Sequence, residues 1–342
     1  MKRISTFLAV AALSAVLFPA TARAWGTHGH HVINHVAAQA LPATMPAFTR
    51  TSDAVTEITM LGSFMDDLKG SGESWNDDNN PAHFLDLSDD GMIGGVVSIH
   101  ALPDSRVTYS AALEKANTSA GHMGYLPYAI LDGWEQLRRD FAYWRVADYR
   151  AVHASTASAR SQAAHARSVW QALVLRDIGV WGHFIGDGSQ PLHVSVHYNG
   201  WGKGPNPNGF TTKYGIHGYF EDHFVNAHAT VPAVAALLKP TVIPQTTSLL
   251  SQADVMNRIV AYLLTTNSYV PQVYRLDKAG AFRAATPQAI RFADERLAFG
   301  AQELRDLTVL AWEDSLNSSV GYPEYTVRSI LSGHPVKAPR AD

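Results

Sequence analysis

Histidines and carboxylates recur in this chain at four-residue spacing. In "GHFIGDGSQPLHVSVHYNG" (182–200), His183 and Asp187 are four apart, and His193 follows a Gly-Ser-Gln-Pro break. In "GIHGYFEDHF" (215–224), His217 and Glu221 repeat the spacing. Residues four apart on an α-helix sit about 40° apart on one face, so their side chains converge. By the same arithmetic Asp222 points about 140° away from His217, which makes Glu221 its better partner. One such pair is commonly a solvated surface pair. Two pairs with a third histidine between them fit a His/carboxylate metal site. Cysteine is absent, so thiolate ligands and disulfides are excluded, and imidazole and carboxylate remain as the protein ligands.

The segments that must position these groups are helical. Apolar residues recur at three and four positions over 30–41, 54–68, 125–144, about 156–187, 253–266 and 286–316. Segments 83–87 and 94–99 are short and read as extended connectors. Gly-, Asn- and Asp-rich 70–82 and Gly-, Pro- and Asn-rich 198–213 read as loops. Three prolines interrupt 230–252, the weakest boundary, yet no linker composition or internal repeat is visible. The expectation is an all-α fold, a single helical domain over 25–342 with a metal cleft.

The opening "MKRISTFLAVAALSAVLFPATARAWG" has Lys2 and Arg3, an apolar run from Phe7 to Phe18, and Ala22-Arg23-Ala24 in a small-x-small pattern. This is the form of a signal peptide over 1–24, and predicts export to the periplasm or medium with Trp25 as the first mature residue. A membrane anchor is the competing reading, but the run is shorter than the roughly 20 residues a span needs. Removing 1–24 takes three basic residues and no acid, moving the formal charge from −3 to −6. Such a surface does not suit binding of duplex DNA through a basic stripe. Any nucleic-acid chemistry must draw its positive charge from elsewhere, and bound metal could supply it.

"WGTHGHHVINHVA" (25–37), "HFLD" (83–86), "GHFIGDGSQPLH" (182–193) and "GIHGYFE" (215–221) together resemble the zinc-dependent phospholipase C and S1/P1 nuclease superfamily. The ordered matches run from Trp25 to Glu221 and the resemblance implies that they continue into the last helical segment, covering most of the mature chain. The resemblance implies a helical domain with three Zn²⁺ ions in a cleft. One would be held by Asp66, His83, His183 and Asp187, and a second by His193, His217 and Glu221. The third would take the α-amine and carbonyl of Trp25, His30 and the other oxygen of Asp187. Cleavage of the leader would free that amine, joining export to activation. Asp66 is chosen over its neighbour Asp67, and His30 over His28 and His31, because these positions fit the family spacing.

A zinc cluster of this kind implies in-line hydrolysis of a phosphate ester. The nucleophile would be a water between the zincs that share Asp187, with Asp66 orienting it or taking its proton. Lys69 stands where the nuclease members have an arginine that meets the phosphate, and its alternative is an ordinary exposed lysine. Phe84 would stack a base with Asp86 at the base edge, or else simply pack the cleft. Glu221 tilts toward the phospholipase members, whereas the 24 positions from His193 to His217 and the positive charge at 69 suit the nucleases. The leading expectation is a monomeric endonuclease-type hydrolase of single-stranded DNA or RNA and 3′-nucleotides, with no obligate protein partner. The alternatives are a phospholipase C acting on phospholipid and a non-catalytic exported zinc-binding protein.

Overall fold

The computed structural model describes residues 25–69, 71–202, 204–241 and 247–338; the expected signal peptide at 1–24 lies outside them. Among the described residues the apolar periodicity becomes eight helices of nine residues or more. They are α1 (Gly26–Gln39), α2 (Ser52–Leu61), α3 (Arg106–Glu114), α4 (Leu126–His153), α5 (Ala157–Ser189), α6 (Gln252–Asn267), α7 (Val270–Lys278) and α8 (Pro287–Asp314). The named strands form two antiparallel ladders, Met92–Ile93 with Val97–Ser98 and Ser319–Val320 with Tyr325–Thr326. The chain is therefore mostly helical, as its patterning predicts.

Local chemistry fixes where the helices start. Thr51, Thr156 and Thr286 accept hydrogen bonds from the backbone amides of Ala54, Ala159 and Ala289, and Ser251 forms a reciprocal capping box with Asp254. The three residues between α4 and α5 leave these two long helices side by side. Helix α1 packs on α2, α5 and α8. Ile33 and Val36 of α1, Trp134, Leu137 and Phe141 of α4, Ile178 and Ile185 of α5, and Leu297 and Leu304 of α8 belong to one contiguous core.

Helix α5 meets its neighbours through backbone rather than side chains. A Cβ on Gly179 would lie 2.6 Å from Leu61 Cβ, one on Gly182 2.3 Å from Asn34 Oδ1, and one on Gly186 2.9 Å from His30 Nδ1. Spaced three and four apart, these glycines share one face. They let α1 and α2 approach α5 closely enough to set His30 beside Asp187. Gly182→Ala is expected to lower stability by about 1–3 kcal/mol through overpacking, reduced by the better helix propensity of alanine. Thermal or urea unfolding reads this, and an unchanged midpoint would show that the contact has slack.

Several predicted boundaries are corrected. The expected helix 54–68 breaks at Gly62–Ser63 and resumes as Phe64–Asp67, because the Gly62 carbonyl leaves the helical pattern to receive a hydrogen bond from His183. The predicted loop 70–82 contains the helix Ser74–Asn79 and the start of the 3₁₀ turn Asn80–His83. Tyr125 Oη donates to Asp78 O and holds that segment in place, a tertiary contact that composition does not reveal. Helix α4 runs past 144 to His153; Arg145 ties its later turns to α8, donating to Trp312 O and lying over the Trp312 ring. Within 230–252, Val231–Ala235 is helical, while 242–246 lie outside the described residues.

Candidate metal centre

The first cluster draws on four elements. His30 comes from α1, Asp66 from the Phe64–Asp67 turn, His83 from the Asn80–His83 turn, and His183 and Asp187 from α5. All five are buried. Asp187 faces two ways: Oδ1 is 3.4 Å from His30 Nε2, while Oδ2 is 3.1 Å from His83 Nδ1 and 3.4 Å from His183 Nε2. His183 Nε2 also lies 2.9 Å from His83 Nδ1 and 3.7 Å from Asp66 Oδ1, and its ring stacks on His30. One carboxylate thus stands between two groups of donors.

His193 from the Pro191–His193 turn, and His217 and Glu221 from 216–224, form the second cluster. The two Nε2 atoms are 3.0 Å apart, and Glu221 Oε2 is 2.8 Å from that of His217 and 3.6 Å from that of His193. Four-residue spacing predicts an α-helical turn over 217–221, but Tyr219–Phe224 is π-helical. The selected pair still converges, and π-helical turns often occur at functional sites.

The imidazoles are oriented from behind. Nδ1 of His183, His193 and His217 is 2.8, 2.6 and 2.9 Å from the carbonyls of Gly62, His83 and Tyr198. A carbonyl only accepts, so each Nδ1 carries a proton and each ring, when neutral, turns an Nε2 lone pair inward. Converging lone pairs and carboxylate oxygens repel unless a cation lies among them. Asp187 Oδ1 and Glu221 Oε1 are buried without a hydrogen-bond partner. Burial, reinforced by neighbouring Lys69 and histidines, keeps His83 and His183 well below the ordinary imidazole range, while burial pushes Asp187 well above the carboxylate range. In the second cluster burial opposes ionisation, but His217 and His193 outweigh it and hold Glu221 at about 2. Burial likewise pulls His217 down, yet the Glu221 carboxylate outweighs it and the net shift is upward. A proton can serve as the cation there, and a metal would compete with it.

Among the described residues three groups can hold a metal ion: His30, Asp66 and His183; His83, His183 and Asp187; and His193, His217 and Glu221. The donor set fits a borderline ion that accepts nitrogen and oxygen. Asp66 is buried and Asp67 exposed, and His30 is buried whereas His28 is exposed and reaches Ala229 O. Lys69 is not an ordinary exposed lysine: its Nζ is 2.6 Å from Asp66 Oδ1 and its side chain is largely buried. The Trp25 indole donates to Gly186 O and Ser189 Oγ, anchoring this residue to the turn that carries Asp187. Its carbonyl accepts from Gly29 N in the first turn of α1.

A cavity of about 280 Å³ joins both clusters and is lined by Lys69, His83, Phe84, Asp86, His193 and His217, with Asn80, His122, Leu192 and Tyr198 completing the wall. A larger cavity, about 580 Å³, lies between 99–104 and α6 but has no cluster residue in its wall, so the candidate metal centre opens on the smaller one. Phe84 is half-buried and fixed by Leu126 N donating to its carbonyl. Gly124, at φ 76°, permits that approach, since a Cβ there would lie 2.0 Å from Phe84 O. Burial pushes Asp86 up to about 7, so near neutrality its carboxyl can donate as well as accept.

Sequence reasoning missed Gln190, which donates to Glu221 Oε2 at 3.0 Å while its Oε1 accepts from Leu192 N. Its position before Pro191 signalled only a chain break. Partners of this kind hold ligands in orientation, so Gln190→Ala is expected to weaken metal at the second cluster by about 10- to 100-fold. Competition with a coloured chelator measures this; unchanged affinity would leave Gln190 as a turn cap alone. His122, Asn80 and Tyr198 were also missed as cavity residues, because nothing in their local spacing marks them. Comparison with family models, with curated proteins and with solved structures finds no match to this chain.

Proposed function

We propose that the chain is an exported zinc-dependent phosphodiesterase, acting as a monomer on single-stranded nucleic acid and 3′-nucleotides. The observation that carries this reading is the meeting of two buried His/carboxylate clusters at one cavity that is also lined by a lysine, a phenylalanine and a partly buried carboxyl. Zinc is favoured because the available donors are imidazole nitrogens and carboxylate oxygens without thiolate. Asp66, His83, His183 and Asp187 would hold one ion, His193, His217 and Glu221 a second, and His30 with Asp187 and the freed end of Trp25 a third. Zinc, when bound, would supply Lewis-acid charge for a phosphate ester and for the activation of water.

The chain's own residues perform the remaining work. Asp66 would accept a proton at a carboxylate oxygen, and Lys69, paired with it at 2.6 Å, adds positive charge to the cavity wall. Phe84 offers a stacking face, with Asp86 two residues on for the base edge. The phospholipase reading draws on Glu221, since the resembled phospholipase members have glutamate in this ligand position. A zinc-storage protein would share the ligands but not turnover.

The test is reconstitution. Protein beginning at Trp25 and stripped by a chelator is expected to lose hydrolysis of a single-stranded oligonucleotide, to regain it with Zn²⁺ and not with Mg²⁺. Full hydrolysis in the stripped state would refute the zinc mechanism.

A further inference from the structure

Tyr198 is 48 % exposed, unusual for an aromatic residue set among buried ligands, and it lines the cavity shared by the clusters. A single exposed tyrosine needs no explanation. The backbone that carries this one is fixed on both sides. Its carbonyl receives His217 Nδ1–H, and Asn199 Oδ1 accepts from the amides of Gly215 and His217. The Gly200 amide donates to Tyr274 Oη, which itself donates to His197 O. His197 is stacked on Trp201 and hydrogen-bonded to Asp89. Backbone on both sides of Tyr198 is therefore tied to the core and to a metal-cluster histidine, so ordering this ring on a ligand costs little beyond its own rotamer freedom.

Phe84 is arranged in the same way beside the other cluster, immediately after His83 and with its backbone clamped to 124–126. The cavity thus has one anchored aromatic residue for each cluster, with the cationic Lys69 also in its wall. Aromatic faces hold successive bases irrespective of sequence, whereas an aliphatic ester offers nothing planar to them. We propose that Tyr198 is a substrate-binding residue that stacks a second base, so that the site takes a dinucleotide unit with a base on each side of the scissile phosphate. This rests on the nucleic-acid reading above.

The test compares wild type, Tyr198→Ala and Tyr198→Phe, all zinc-loaded, on a dinucleoside monophosphate and on a 3′-nucleotide. Tyr198→Ala is expected to raise KM for the dinucleoside by about 5- to 100-fold, with kcat and zinc content near wild type. KM for the 3′-nucleotide, which has one base, should change less than about twofold, and Tyr198→Phe should match wild type on both. An unchanged dinucleoside KM in Tyr198→Ala, or equal losses on both substrates accompanied by lost zinc, would overturn the proposal. The latter result would mean that the residue acts only by holding His217. Wild type that cleaves neither nucleotide would instead refute the nucleic-acid reading, and the second stacking site with it.

Discussion

Asp187→Asn is expected to make the metal-stripped protein more stable at pH 8 while abolishing most of the stabilisation that zinc confers. The folded-state pKa of Asp187 is raised by burial, so the contribution of this group to stability is full below its ordinary 3.8 and is lost as pH rises through the folded value. At pH 8, far above its ordinary value, this buried acid therefore opposes folding unless a cation compensates it. Asparagine removes that cost and also removes the group facing both His30 and His83 with His183. Bound zinc per chain should fall, and hydrolysis should drop by roughly 10³-fold, within the range for removing a key catalytic interaction. If the stripped variant melts below stripped wild type and zinc raises both equally, Asp187 is a structural acid rather than a ligand.

A pH dependence follows for the wild type. His83 and His183 have lowered folded values, so the stability they contribute is present above their ordinary 6.5 and is lost as pH falls through the folded values. Protons also compete with metal for the same nitrogens. The melting-temperature gap between zinc-loaded and stripped protein should widen from pH 5 to pH 8, read by thermal unfolding in each state. A gap that narrows over this range would argue against His/carboxylate ligation.

The second large effect belongs to Asp66. Asp66→Asn keeps the shape of the side chain but removes the proton acceptor and the charge that pairs with Lys69 at 2.6 Å. Turnover is expected to fall by about 10²- to 10⁴-fold, with the far-ultraviolet spectrum unchanged and the second cluster still loaded. Undiminished hydrolysis would remove Asp66 from the reaction.

What the sequence disclosed, and what it hid, divides by the range of the interaction. The long helices were legible because each buries an apolar face at its own period, and His183 with Asp187 was legible because four-residue spacing is a local property. The choice of Asp66 over Asp67 and of His30 over His28 came from the family resemblance, and burial separates the members of each pair the same way. The break at Gly62 was invisible because its cause is His183, 121 positions away. The π-helical turn at Tyr219–Phe224 left the pairing of His217 with Glu221 intact, so the spacing gave no warning of it. Gln190 and Tyr198 meet Glu221 and His217 through contacts that only the folded chain creates. The sequence left Lys69 open between a phosphate contact and an exposed lysine, because its burial and its pairing with Asp66 depend on the surrounding fold.

The most direct measurement is a side-by-side hydrolysis assay of the zinc-loaded protein beginning at Trp25, on single-stranded DNA, RNA, a 3′-nucleotide and dispersed phosphatidylcholine, each with and without chelator. Chelator-sensitive release of nucleotides from the nucleic acids and of phosphate from the 3′-nucleotide, with phosphatidylcholine untouched, is the expected result. Release of phosphocholine alone would contradict the nucleic-acid assignment and make Glu221 the better guide, and no release from any substrate by fully loaded protein would leave the clusters as zinc-binding sites without turnover.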